Sequence, residues 1–384
     1  MTDLKSTLER LYKLIPLGKK LGLERMQAAC AAFGNPERTF PTVHVAGTNG
    51  KGTVTAFVSS IARANGLNVG VYTSPHLMRF AERINIGGQP ISDELLVDLL
   101  NRVMDRAPDL TFFEVATLTA FLAFKEAKID LGVLEVGLGG RLDATNVIPP
   151  PRVAAITRIA YDHMAELGET IAAIATEKAG IIKAGSTVVL GSPEPIAGAP
   201  LAYPRVALVG SNLAVAVTVA RELGIPPEVM AQGIEQTTWP GRNELLHRSG
   251  QELTLLDCAH NPDGAVALSH ALDPSVLGDI ESRKEIALVF GALNTKNWRA
   301  MLRRLEQVAG HRVYVAPPIS KGVDPREIAA FVPGEVAASV GEALARARAL
   351  VGPRGVVVVT GSTFLVGAAR ALLLNLPTDP PVAL

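Results

Sequence analysis

The first candidate site in the sequence is a glycine-rich turn that carries one lysine, GTNGKGT at residues 47–53. Its three glycines leave the turn open, so that backbone N–H groups can face inward and bind a phosphate chain. A helix is predicted to begin here, and the positive end of its dipole adds to the charge of Lys51. The hydroxyl group of Thr53 can face a metal ion bound to the same phosphate. Together these residue types predict a nucleotide-binding loop.

The turn departs from the general phosphate-loop pattern, which is Gly, four residues, and then Gly-Lys-Ser/Thr. Val45 stands where the first glycine belongs, and Gly52 separates Lys51 from Thr53. A turn that only connects a strand to a helix is therefore the alternative. Of the two interpretations, nucleotide binding is favoured.

Glu135 is the second candidate. It is the acid that interrupts the apolar residues of DLGVLEV, at 130–136, and such a run is typical of a buried parallel strand. A buried carboxylate is costly unless it is paired. A hard divalent cation such as Mg²⁺, which prefers oxygen ligands, would satisfy it. The alternative partner is the guanidinium group of Arg141. The phosphate loop gives a reason for Mg²⁺ nearby and favours the metal.

Three further positions carry weaker signals. The stretch GLGGRLDATN at residues 137–146 fails the dinucleotide pattern Gly-x-Gly-x-x-Gly, because Leu142 stands at the last glycine, and a tight turn explains it at least as well. His163 follows Asp162 after a predicted strand, where a ligand role and ordinary packing are equally supported. Lys178 lies in a predicted helix and is expected, from the residues alone, on the solvated surface.

A turn in the C-terminal part of the chain, DCAHNP at residues 257–262, places an acid, an imidazole and an amide between a strand and a helix. Asp257 and His260 are candidates for an acid–base dyad or for binding a nucleotide. The alternative is a helix-capping Asx turn. A Ser-His-Asp hydrolase is not supported, because the sequence contains no Gly-x-Ser-x-Gly elbow.

Short apolar strands alternate with helices along the chain, which predicts a doubly wound α/β fold with a mostly parallel sheet. After the strand that begins at Thr42, strands are predicted at 68–73, 130–136, 153–157 and 187–190, and helices at 2–33, 92–104, 113–127, 171–179 and 212–223. In such sheets ligands bind beyond the carboxyl ends of the strands. The residues expected to converge there are Thr48–Thr53, Ser74, Glu135, Asp162 and His163.

The length of 384 residues favours two domains. The segment WPGR at residues 239–242 interrupts regular structure, so the expected domains are 1–238, with the phosphate loop, and 239–384, with a second α/β series. In that series, strands are predicted at 253–257, 286–291, 312–316 and 355–360, and helices from 263 and at 298–308, 340–350 and 363–374. The Pro-, Ala- and Gly-rich segment 191–205 is predicted to be a loop.

The composition excludes several classes of protein. Lysine plus arginine equals aspartate plus glutamate, at 37 each, so no basic excess points to nucleic acid or to an anionic membrane. Two cysteines are too few for a disulfide framework. The charged amphipathic start is unlike a signal peptide, and no apolar run reaches the length of about 18 residues that a membrane span needs. The expectation is a soluble cytoplasmic protein.

Ten segments, in order along nearly the whole chain, resemble the folylpolyglutamate synthase/dihydrofolate synthase family of bacterial, bifunctional type, within the ATP-dependent Mur-type amide ligases. The loop of that family also has a glycine between lysine and the hydroxyl residue, as Gly52 is placed here. The segments are GLERM at 22–26, HVAGTNGKGT at 44–53, TSPHL at 73–77, ERINIGG at 82–88, LEVGLGGRLDATN at 134–146, DH at 162–163, EKAGIIK at 177–183, WPGR at 239–242, DCAHNP at 257–262 and GSTFLVG at 361–367.

The resemblance implies roles for individual residues. It implies a P-loop domain like the central domain of Mur ligases and a smaller, Rossmann-like C-terminal domain. Thr53 and Glu135 would bind one Mg²⁺, and Ser74, Glu135 and His163 a second. Lys178 matches a lysine that is carbamylated in the family, which reverses the expectation from the residues alone, and Lys51, Lys178 and His163 would be the catalytic group. The nucleotide would be bound by Thr48, Asn49, Gly50, Lys51, Gly52, Thr53, Arg242, Asp257 and His260.

Three departures from the family concern the adenine contact and the glutamate site. The family has His-Gln-x-x-Asn-Ala before the helix near 212, whereas this chain has GSNLAVAVTVA, with Ala216 where the nucleotide-binding asparagine is expected. The segment 191–205 looks shortened. An acidic Asp-Lys-Asp is replaced within Asn294–Asn297.

The reaction implied by the resemblance joins L-glutamate to dihydropteroate, to reduced folates, or to both, by way of an acyl phosphate made from ATP. The expected partners are these small molecules, and a monomer is expected. One alternative is another Mur-type ligase that joins an amino acid to a different carboxylate. A second is a P-loop ATPase or nucleotide-binding module without ligation, and a third is a degenerate structural paralogue.

Overall fold

The chain folds into two compact units. The structure is a computed structural model that describes residues 3–15, 22–191, 206–247, 252–272 and 285–380. The first unit comprises Met1–His76 and Phe80–Thr238, and the second comprises Leu77–Arg79 and Trp239–Leu384. Among the described residues no helix is long and apolar enough to cross a membrane.

The segment Leu77–Arg79 packs with the second unit, although it lies within the expected residues 1–238. The carbonyl oxygen of Met78 accepts a hydrogen bond of 3.1 Å from the backbone N–H of Asp379. Arg79 Nε lies 3.5 Å from Asp379 Oδ1. These contacts are made at a distance in sequence that local patterns do not reveal.

The first unit alternates strands and helices along most of its length. Its helices are α1 (Leu4–Tyr12), α2 (Glu24–Ala32), α3 (Lys51–Ala64), α4 (Asp93–Arg106), α5 (Phe112–Glu126), α6 (Met164–Leu167), α7 (Ile171–Ala179), α8 (Asn212–Glu222) and α9 (Pro227–Glu235). Its strands are β1 (Thr42–Ala46), β2 (Val69–Tyr72), β3 (Ile84–Ile86), β4 (Gln89–Pro90), β5 (Leu131–Glu135), β6 (Val153–Ile156), β7 (Thr187–Leu190) and β8 (Val206–Leu208).

These strands form one sheet with β1 near its centre, in the order β4-β3-β2-β5-β1-β6-β7-β8 among the described residues. The strands from β2 to β8 in this order are parallel, and only β3 and β4 run antiparallel to their neighbours. The register pairs Val45 with Glu135 and Ala46 with Ile156. The carboxyl ends of β1, β5 and β6 therefore lie at one edge of the sheet, as the sequence predicts for a doubly wound fold.

Both faces of this sheet are buried, which explains why its strands are continuous apolar runs. Val43 and Val45 pack on one face with α3 and α8, while Ala154 and Ile156 pack on the other with α7. Helix α4 begins where the sequence predicts, because Ser92 Oγ accepts the backbone N–H of Leu95.

The second unit has the same type of architecture. Its helices are α10 (Pro262–Ala271), α11 (Trp298–Leu305), α12 (Pro325–Phe331), α13 (Val340–Val351) and α14 (Thr363–Leu374). Its strands are β9 (Glu244–His247), β10 (Leu253–Leu256), β11 (Ile286–Phe290), β12 (His311–Tyr314), β13 (Glu335–Val336) and β14 (Val356–Thr360). In the described residues, the sheet order is β13-β12-β11-β14-β10-β9, and only β9 is antiparallel to its neighbour.

Some expectations about the elements are wrong. The segment 2–33 is not one helix, since α1 ends at Tyr12 and α2 begins at Glu24. The sequence also missed the short or half-exposed elements β3, β4, β8, β9, β13, α6, α9 and α12. Apart from Gly191, the predicted loop 191–205 lies outside the described residues.

Candidate active site

The phosphate loop connects the carboxyl end of β1 to the first residue of α3. Gly50 precedes the helix in the left-handed region, with φ of 88°, where a residue without Cβ is favoured. Gly47 has φ of 149°, and a Cβ atom there would overlap Thr157 Oγ1. At these two positions the glycines are required by the backbone conformation and by the close approach of a neighbouring strand end.

The segment that follows β6 holds one side of the loop. Thr157 Oγ1 donates to the carbonyl oxygen of Asn49 at 2.7 Å. The backbone N–H of Thr48 donates to the carbonyl of Arg158 at 2.8 Å. Thr48 Oγ1 both donates to the carbonyl and accepts from the N–H of Ala160, at 3.0 Å each. The loop therefore has a shape fixed by residues more than 100 positions away in sequence.

Two lysine side chains meet at the carbonyl oxygen of Gly47. Lys51 Nζ donates to it at 3.1 Å, and Lys178 Nζ donates to it at 2.9 Å. Lys178 is only 4% exposed, so the expectation of a solvated surface lysine from the residues alone is wrong. Its helix, α7, packs against the sheet and directs the side chain inward.

Burial is the main cause of a low pKa at Lys178, which falls from its ordinary 10.5 to about 7. The charge of Lys51 lowers this pKa further, while Asp162 and Asp143 oppose the shift. A large fraction of Lys178 is therefore a neutral amine near pH 7. A neutral buried amine is a nucleophile, and the charge of Lys51 beside it attracts an anion.

Glu135 ends β5 as a buried carboxylate, and its Oε2 accepts the backbone N–H of Ser74 at 3.2 Å. The structure thus brings together two of the predicted metal ligands, from the ends of β5 and β2. The alternative partner, Arg141, pairs instead with Glu177 at 2.8 Å. The salt-bridge explanation of Glu135 through Arg141 is therefore wrong.

A buried polar network follows Glu135 and organises the 137–146 stretch as a turn, as the sequence suggests. Asp143 Oδ2 accepts the backbone N–H groups of Gly137 and Leu138 at 3.0 and 2.9 Å. Its Oδ1 accepts both the N–H and the hydroxyl of Thr145, at 3.0 and 2.6 Å. Burial raises the pKa of Asp143 despite these bonds.

His44, on β1, completes this network. Its Nε2 lies 2.8 Å from Thr145 Oγ1. Because that hydroxyl gives its only proton to Asp143, His44 must donate from Nε2, which makes it the neutral Nε2–H tautomer. Burial agrees with this assignment, since it lowers the pKa of His44 to about 3.

Arg83 is a buried cation beside the same strand ends. Its Nε donates to His76 Nδ1 at 2.8 Å, and its guanidinium carbon lies 5.2 Å and 5.3 Å from the ring centres of Phe80 and Phe112. Burial lowers the pKa of Arg83, whereas Tyr72 and more weakly Glu135 raise it. Neither Arg83 nor His76 is among the site residues predicted from the sequence, although both lie inside segments that resemble the family.

His163 stands at the start of α6 with φ of 51°, a conformation that is uncommon outside glycine and is often found at functional sites. Its ring lies 3.9 Å from Glu166 Oε2 and 4.0 Å from Asp162 Oδ2.

Thr53 lies half-buried in the first turn of α3, and its hydroxyl makes no hydrogen bond to another described residue.

The chemistry of these residues fits a hard divalent cation bound together with a phosphate. Carboxylate, hydroxyl and imidazole groups are offered, and oxygen donors suit Mg²⁺. Across the described ranges no three side chains of His, Cys, Asp or Glu converge to form a complete cage.

The predicted residues Arg242, Asp257 and His260 belong to the second unit. Asp257 accepts the backbone N–H groups of Asn243 and Ala259, at 3.0 and 2.9 Å. Burial raises its pKa, and the charge of Arg242 opposes that shift. His260 Nδ1 bonds to the carbonyl of Cys258 at 2.9 Å. A hydrogen-bonded dyad of Asp257 and His260 is therefore wrong.

Asn residues cap two helices of the second unit. Asn261 Oδ1 accepts the N–H of Gly264 at 2.8 Å and caps α10, as the Asx alternative predicts. Asn297, in the altered Asn294–Asn297 segment, accepts the N–H of Ala300 at 3.2 Å and caps α11. An uncharged amide thus starts α11 without the acid of the family pattern.

Two family models match the chain. The Mur ligase middle domain matches residues 45–197, which include the phosphate loop, Glu135 and Lys178. The Mur ligase glutamate ligase domain matches residues 241–363, which include Asp257 and His260.

Whole proteins and solved structures match over nearly the full length. The chain is 33% identical to folylpolyglutamate synthase of Lacticaseibacillus casei, covering 96% of this chain and 98% of that protein. Escherichia coli FolC in complex with DHPP and ADP superposes with a TM-score of 0.89 at 29% identity, over 98% of this chain and 99% of that one.

A further structure carries a metal ion. It is the bifunctional folylpolyglutamate synthase/dihydrofolate synthase of Yersinia pestis complexed with AMPPNP and Mn ion, with a TM-score of 0.88 at 31% identity, over 97% of this chain and 98% of that one. The motifs, both sheets and the full-length similarity agree. The chain therefore belongs to the folylpolyglutamate synthase/dihydrofolate synthase family of ATP-dependent Mur-type ligases.

Proposed function

We propose that this protein uses ATP to join L-glutamate to the carboxylate of dihydropteroate, of reduced folates, or of both. The observation that carries the proposal is the pair of lysines at the carbonyl of Gly47, 3.1 Å and 2.9 Å from it. Lys51 and the N–H groups of the inward-facing loop form a positive site of the kind that binds a triphosphate, and Lys178 lies directly beside it. The relatives whose names include folylpolyglutamate or dihydrofolate synthase supply the substrate class.

The reaction has two steps. A carboxylate oxygen of the folate-type substrate attacks the γ-phosphorus of ATP, the bond from that phosphorus to the β,γ-bridging oxygen breaks, and ADP leaves. The amine of L-glutamate then attacks the acyl carbon of the acyl phosphate, phosphate leaves, and the amine loses a proton. The amide bond stores part of the energy that ATP released, and no oxidant or reductant is needed.

The residues of the chain orient the reacting groups and neutralise charge. Lys51 and the N–H groups of the loop bind the transferring phosphoryl group. The proposed ligand set for the cation is Thr53, Ser74, Glu135 and His163. When bound, two Mg²⁺ ions would neutralise charge on the phosphates and polarise the γ-phosphoryl group.

Lys178 is proposed to work as a carbamate. Its neutral amine attacks the carbon of CO₂, a nitrogen–carbon bond forms, and a proton is released. The pKa of about 7 supplies the neutral amine that this step needs. Carbamylation converts a buried cation beside Lys51 into a carboxylate, which removes the repulsion between the two lysines and adds oxygen ligands on the metal side.

The second unit is proposed to contribute Arg242, Asp257 and His260 to nucleotide binding. Its residues near Asn294–Asn297 lack the acids of the family pattern, a departure that concerns the adenine contact and the glutamate site. The acceptor is dihydropteroate, a reduced folate, or both. A monomer in the cytoplasm is proposed from the balanced charge and the two buried free cysteines.

The proposal is tested by measuring ADP release with dihydropteroate and with a reduced folate, each with and without L-glutamate. ADP release that depends on both the acceptor and glutamate supports ligation. Substituting Lys51→Ala is expected to lower the rate by at least about a hundredfold. Lys125→Ala is the matched control, since Lys125 is exposed on α5 and, among the described residues, its side chain bonds only to the carbonyl of Gly34.

Two outcomes would contradict the proposal. ADP release that is independent of glutamate would indicate an ATPase without ligation. Full ADP release by Lys51→Ala, with both substrates present, would show that the loop is not the phosphate site. Glutamate-dependent release with another carboxylate, and none with either pterin acceptor, would instead support a different Mur-type ligase.

A further inference from the structure

The turn that follows β5 packs directly against the end of α7, the helix that carries Lys178. An ideal Cβ placed on Gly140 would lie 2.9 Å from the carbonyl oxygens of both Glu177 and Lys178. An ideal Cβ placed on Gly180 would lie 2.4 Å from Cα of Arg141. At both points the approach leaves no room for a side chain, so the backbone of the turn contacts the backbone of α7 before and after Lys178.

The turn also supplies donors to the end of this helix. The last carbonyl groups of a helix have no partner within it. The backbone N–H of Arg141 donates to the carbonyl oxygen of Glu177 at 2.8 Å, and Asn146 Nδ2 donates to that of Gly180 at 3.0 Å. Because α7 has only nine residues, and an isolated helix of that length is marginal in water, its end depends on such contacts.

Asn146 joins the two segments through one side-chain amide. Its Nδ2 also donates to the carbonyl oxygen of Arg141 at 3.0 Å, so one bond lies within the turn and the other crosses to Gly180. Both partners are carbonyl oxygens, and only the NH₂ group can face them. Asn146 is 6% exposed, and within the described residues its Oδ1 has no hydrogen-bond partner. The amide therefore acts as a buried double donor.

A second link binds the backbone of Asn146 to the segment that follows α7. Lys183 Nζ donates to the carbonyl oxygens of Asn146 and Ile148. The residues 180–183 are thus bonded to Asn146 twice, once through its side chain and once through its main chain. The turn and the end of α7 consequently move as one piece.

The two segments joined in this way carry different parts of the site. Glu135 ends β5 immediately before the turn. Lys178 lies in the last turn of α7 and donates from Nζ to the carbonyl oxygen of Gly47 at 2.9 Å. The position of the Lys178 amine relative to Glu135 therefore depends on how the turn and the helix fit together.

We propose that Asn146 is a positioning residue for Lys178, which fixes the end of α7 against the turn after Glu135 and so holds the Lys178 amine at the phosphate loop. This role rests on the proposed function, in which Lys178 becomes a carbamate, and Asn146 acts through Lys178 and not on the substrates. Aspartate has the shape of asparagine but offers oxygen acceptors to the two carbonyl oxygens, which repel them. Asn146→Asp is therefore the sharpest change.

The test measures kcat and KM for glutamate-dependent ADP release, together with the carbamate signal in ¹³C NMR after addition of ¹³C-bicarbonate. The Lys178→Met chain identifies that signal by its loss. Asn146→Asp is expected to lower kcat by at least about a hundredfold, the size of an effect from a displacement of 1 Å, and Asn146→Ala by about tenfold. The KM for glutamate should stay within about twofold, and the carbamate signal should fall in the same order as kcat.

Asn101→Asp is the matched control. Asn101 Nδ2 also makes two hydrogen bonds, to Thr7 Oγ1 at 3.1 Å and to the carbonyl oxygen of Val97 at 2.9 Å, and it lies in α4, which packs on α1 and α5. This variant should lower the thermal unfolding temperature, as the Asn146 variants do. It should keep kcat and the carbamate signal within about twofold, because its effect is on stability alone.

Two results would overturn the role of Asn146. One is a folded Asn146→Asp chain whose kcat stays within twofold of that of the unsubstituted chain. The other is a loss of kcat with a full carbamate signal, since Asn146 would then not act through Lys178. If circular dichroism shows that Asn146→Asp is unfolded, Asn146→Ala decides by the same two criteria.

Failure of the proposed function gives different results, which appear in the unsubstituted chain. Glutamate-dependent ADP release without a carbamate signal would exclude the modification of Lys178, and kcat alone would then decide the role of Asn146. A carbamate signal without ADP release would exclude ligation, and the carbamate signal of the variants would decide. The absence of both would exclude the proposed function and this role with it.

Discussion

Two strand-to-helix connections in this molecule, one in each unit, differ in how their buried charged groups are satisfied. The β1–α3 loop is held by residues far away in sequence, namely Thr157, Ala160 and Lys178. The β10–α10 turn also has distant contacts, since the carbonyl of Ala259 accepts the N–H of Gly361 at 3.1 Å, but its buried carboxylate, Asp257, is satisfied by the backbone N–H groups of Asn243 and Ala259.

The two connections show that the electrostatic cost of a buried charge is met in one case and left uncompensated in the other. In the second unit, a buried carboxylate has backbone donors and needs little else. In the first unit, two lysine amino groups share one carbonyl oxygen, and burial together with the charge of Lys51 lowers the pKa of Lys178 to about 7. Such a cluster is destabilising until an anion or a covalent change neutralises it, and clusters of that kind occur at functional sites.

The largest difference in activity between the two connections is expected when one methyl group is added to each of them. Gly47→Ala would overlap Thr157 Oγ1 at a φ of 149°, so the loop must move away from the segment after β6. We expect a loss of glutamate-dependent ADP release of more than about a hundredfold, the usual size of an effect from a displacement of 1 Å. Gly264→Ala, whose Cβ would lie 3.2 Å from Asn261 Oδ1, should lose less than about twofold in a steady-state assay.

Equal losses for these two variants would contradict the comparison. It would mean that the β10–α10 turn is as sensitive to shape as the phosphate loop. Circular dichroism of both variants separates a moved loop from an unfolded chain.

The next largest effect is expected at Lys178. The unfolded chain keeps a proton on this lysine up to about pH 10.5, whereas the folded chain releases it near pH 7. The penalty on folding is therefore fully present below pH 7 and shrinks as the pH rises towards 10.5. Lys178→Met should raise the free energy of unfolding by on the order of 3 kcal/mol at pH 6.5, and clearly less at pH 9, while it abolishes ligation.

Urea denaturation in buffer free of CO₂ and divalent cations measures this effect. Lys183→Met is the contrasting variant. Burial also lowers the pKa of Lys183, to about 8, but its Nζ donates to the carbonyls of Asn146 and Ile148, so its removal should not stabilise the chain. A Lys178→Met chain that is less stable than the unsubstituted one at pH 6.5 would remove the electrostatic basis of the comparison.

The smallest effect concerns the two buried aspartates. Asp143 accepts four hydrogen bonds. In an asparagine at this position, the side-chain NH₂ group would face two of those four donors and could not accept their bonds. Asp257 accepts two from the backbone, and asparagine would lose one. Asp143→Asn should cost about 3 kcal/mol of unfolding free energy and Asp257→Asn about 1.5 kcal/mol.

Chemical denaturation of both variants tests this order. Only Asp143→Asn should also reduce ligation, because Gly137 and Leu138 follow Glu135 directly. The reverse order of stabilities would show that the number of donors does not set the contribution of a buried carboxylate to stability.

The sequence predicted most of the long elements and the location of the site. Apolar runs and glycine or proline breaks predicted β5, β6, β7, α7 and α14 to within about a residue at each end, because a strand buried on both faces has a continuous apolar pattern. The rule that ligands bind beyond carboxyl strand ends grouped Lys51, Ser74 and Glu135 correctly in one unit. Two of the charged residues at this edge of the sheet, Lys51 and Glu135, were therefore found from the sequence.

The sequence could not predict residues whose role depends on burial. Lys178, Arg83 and His44 have the composition of ordinary surface or packed residues, and only the folded chain shows that each is at most 5% exposed. Local patterns report the side of an element that faces the core, but not whether a polar side chain there meets a partner. Family resemblance was the signal that identified Lys178, and it gave no role to His44.

Short elements were missed for a different reason. Strands β3, β4 and β13 have two or three residues each, too few for an alternating pattern of apolar and polar residues to be recognised. Strand β9 alternates between half-buried and exposed positions and lies next to the segment WPGR, whose glycine and proline predicted a break.

The position of β14 in its sheet sets the order in which the second unit can be completed. It lies between β10 and β11 and is the neighbour of both, although about 100 residues separate it from β10. A ribosome that has not yet released Val356–Thr360 therefore holds a sheet in two parts, with the inner edges of β10 and β11 open. Folding of this unit during synthesis must wait for its last strand, and chains that stop before Val356 should be recognised by the cell's quality control as unfinished.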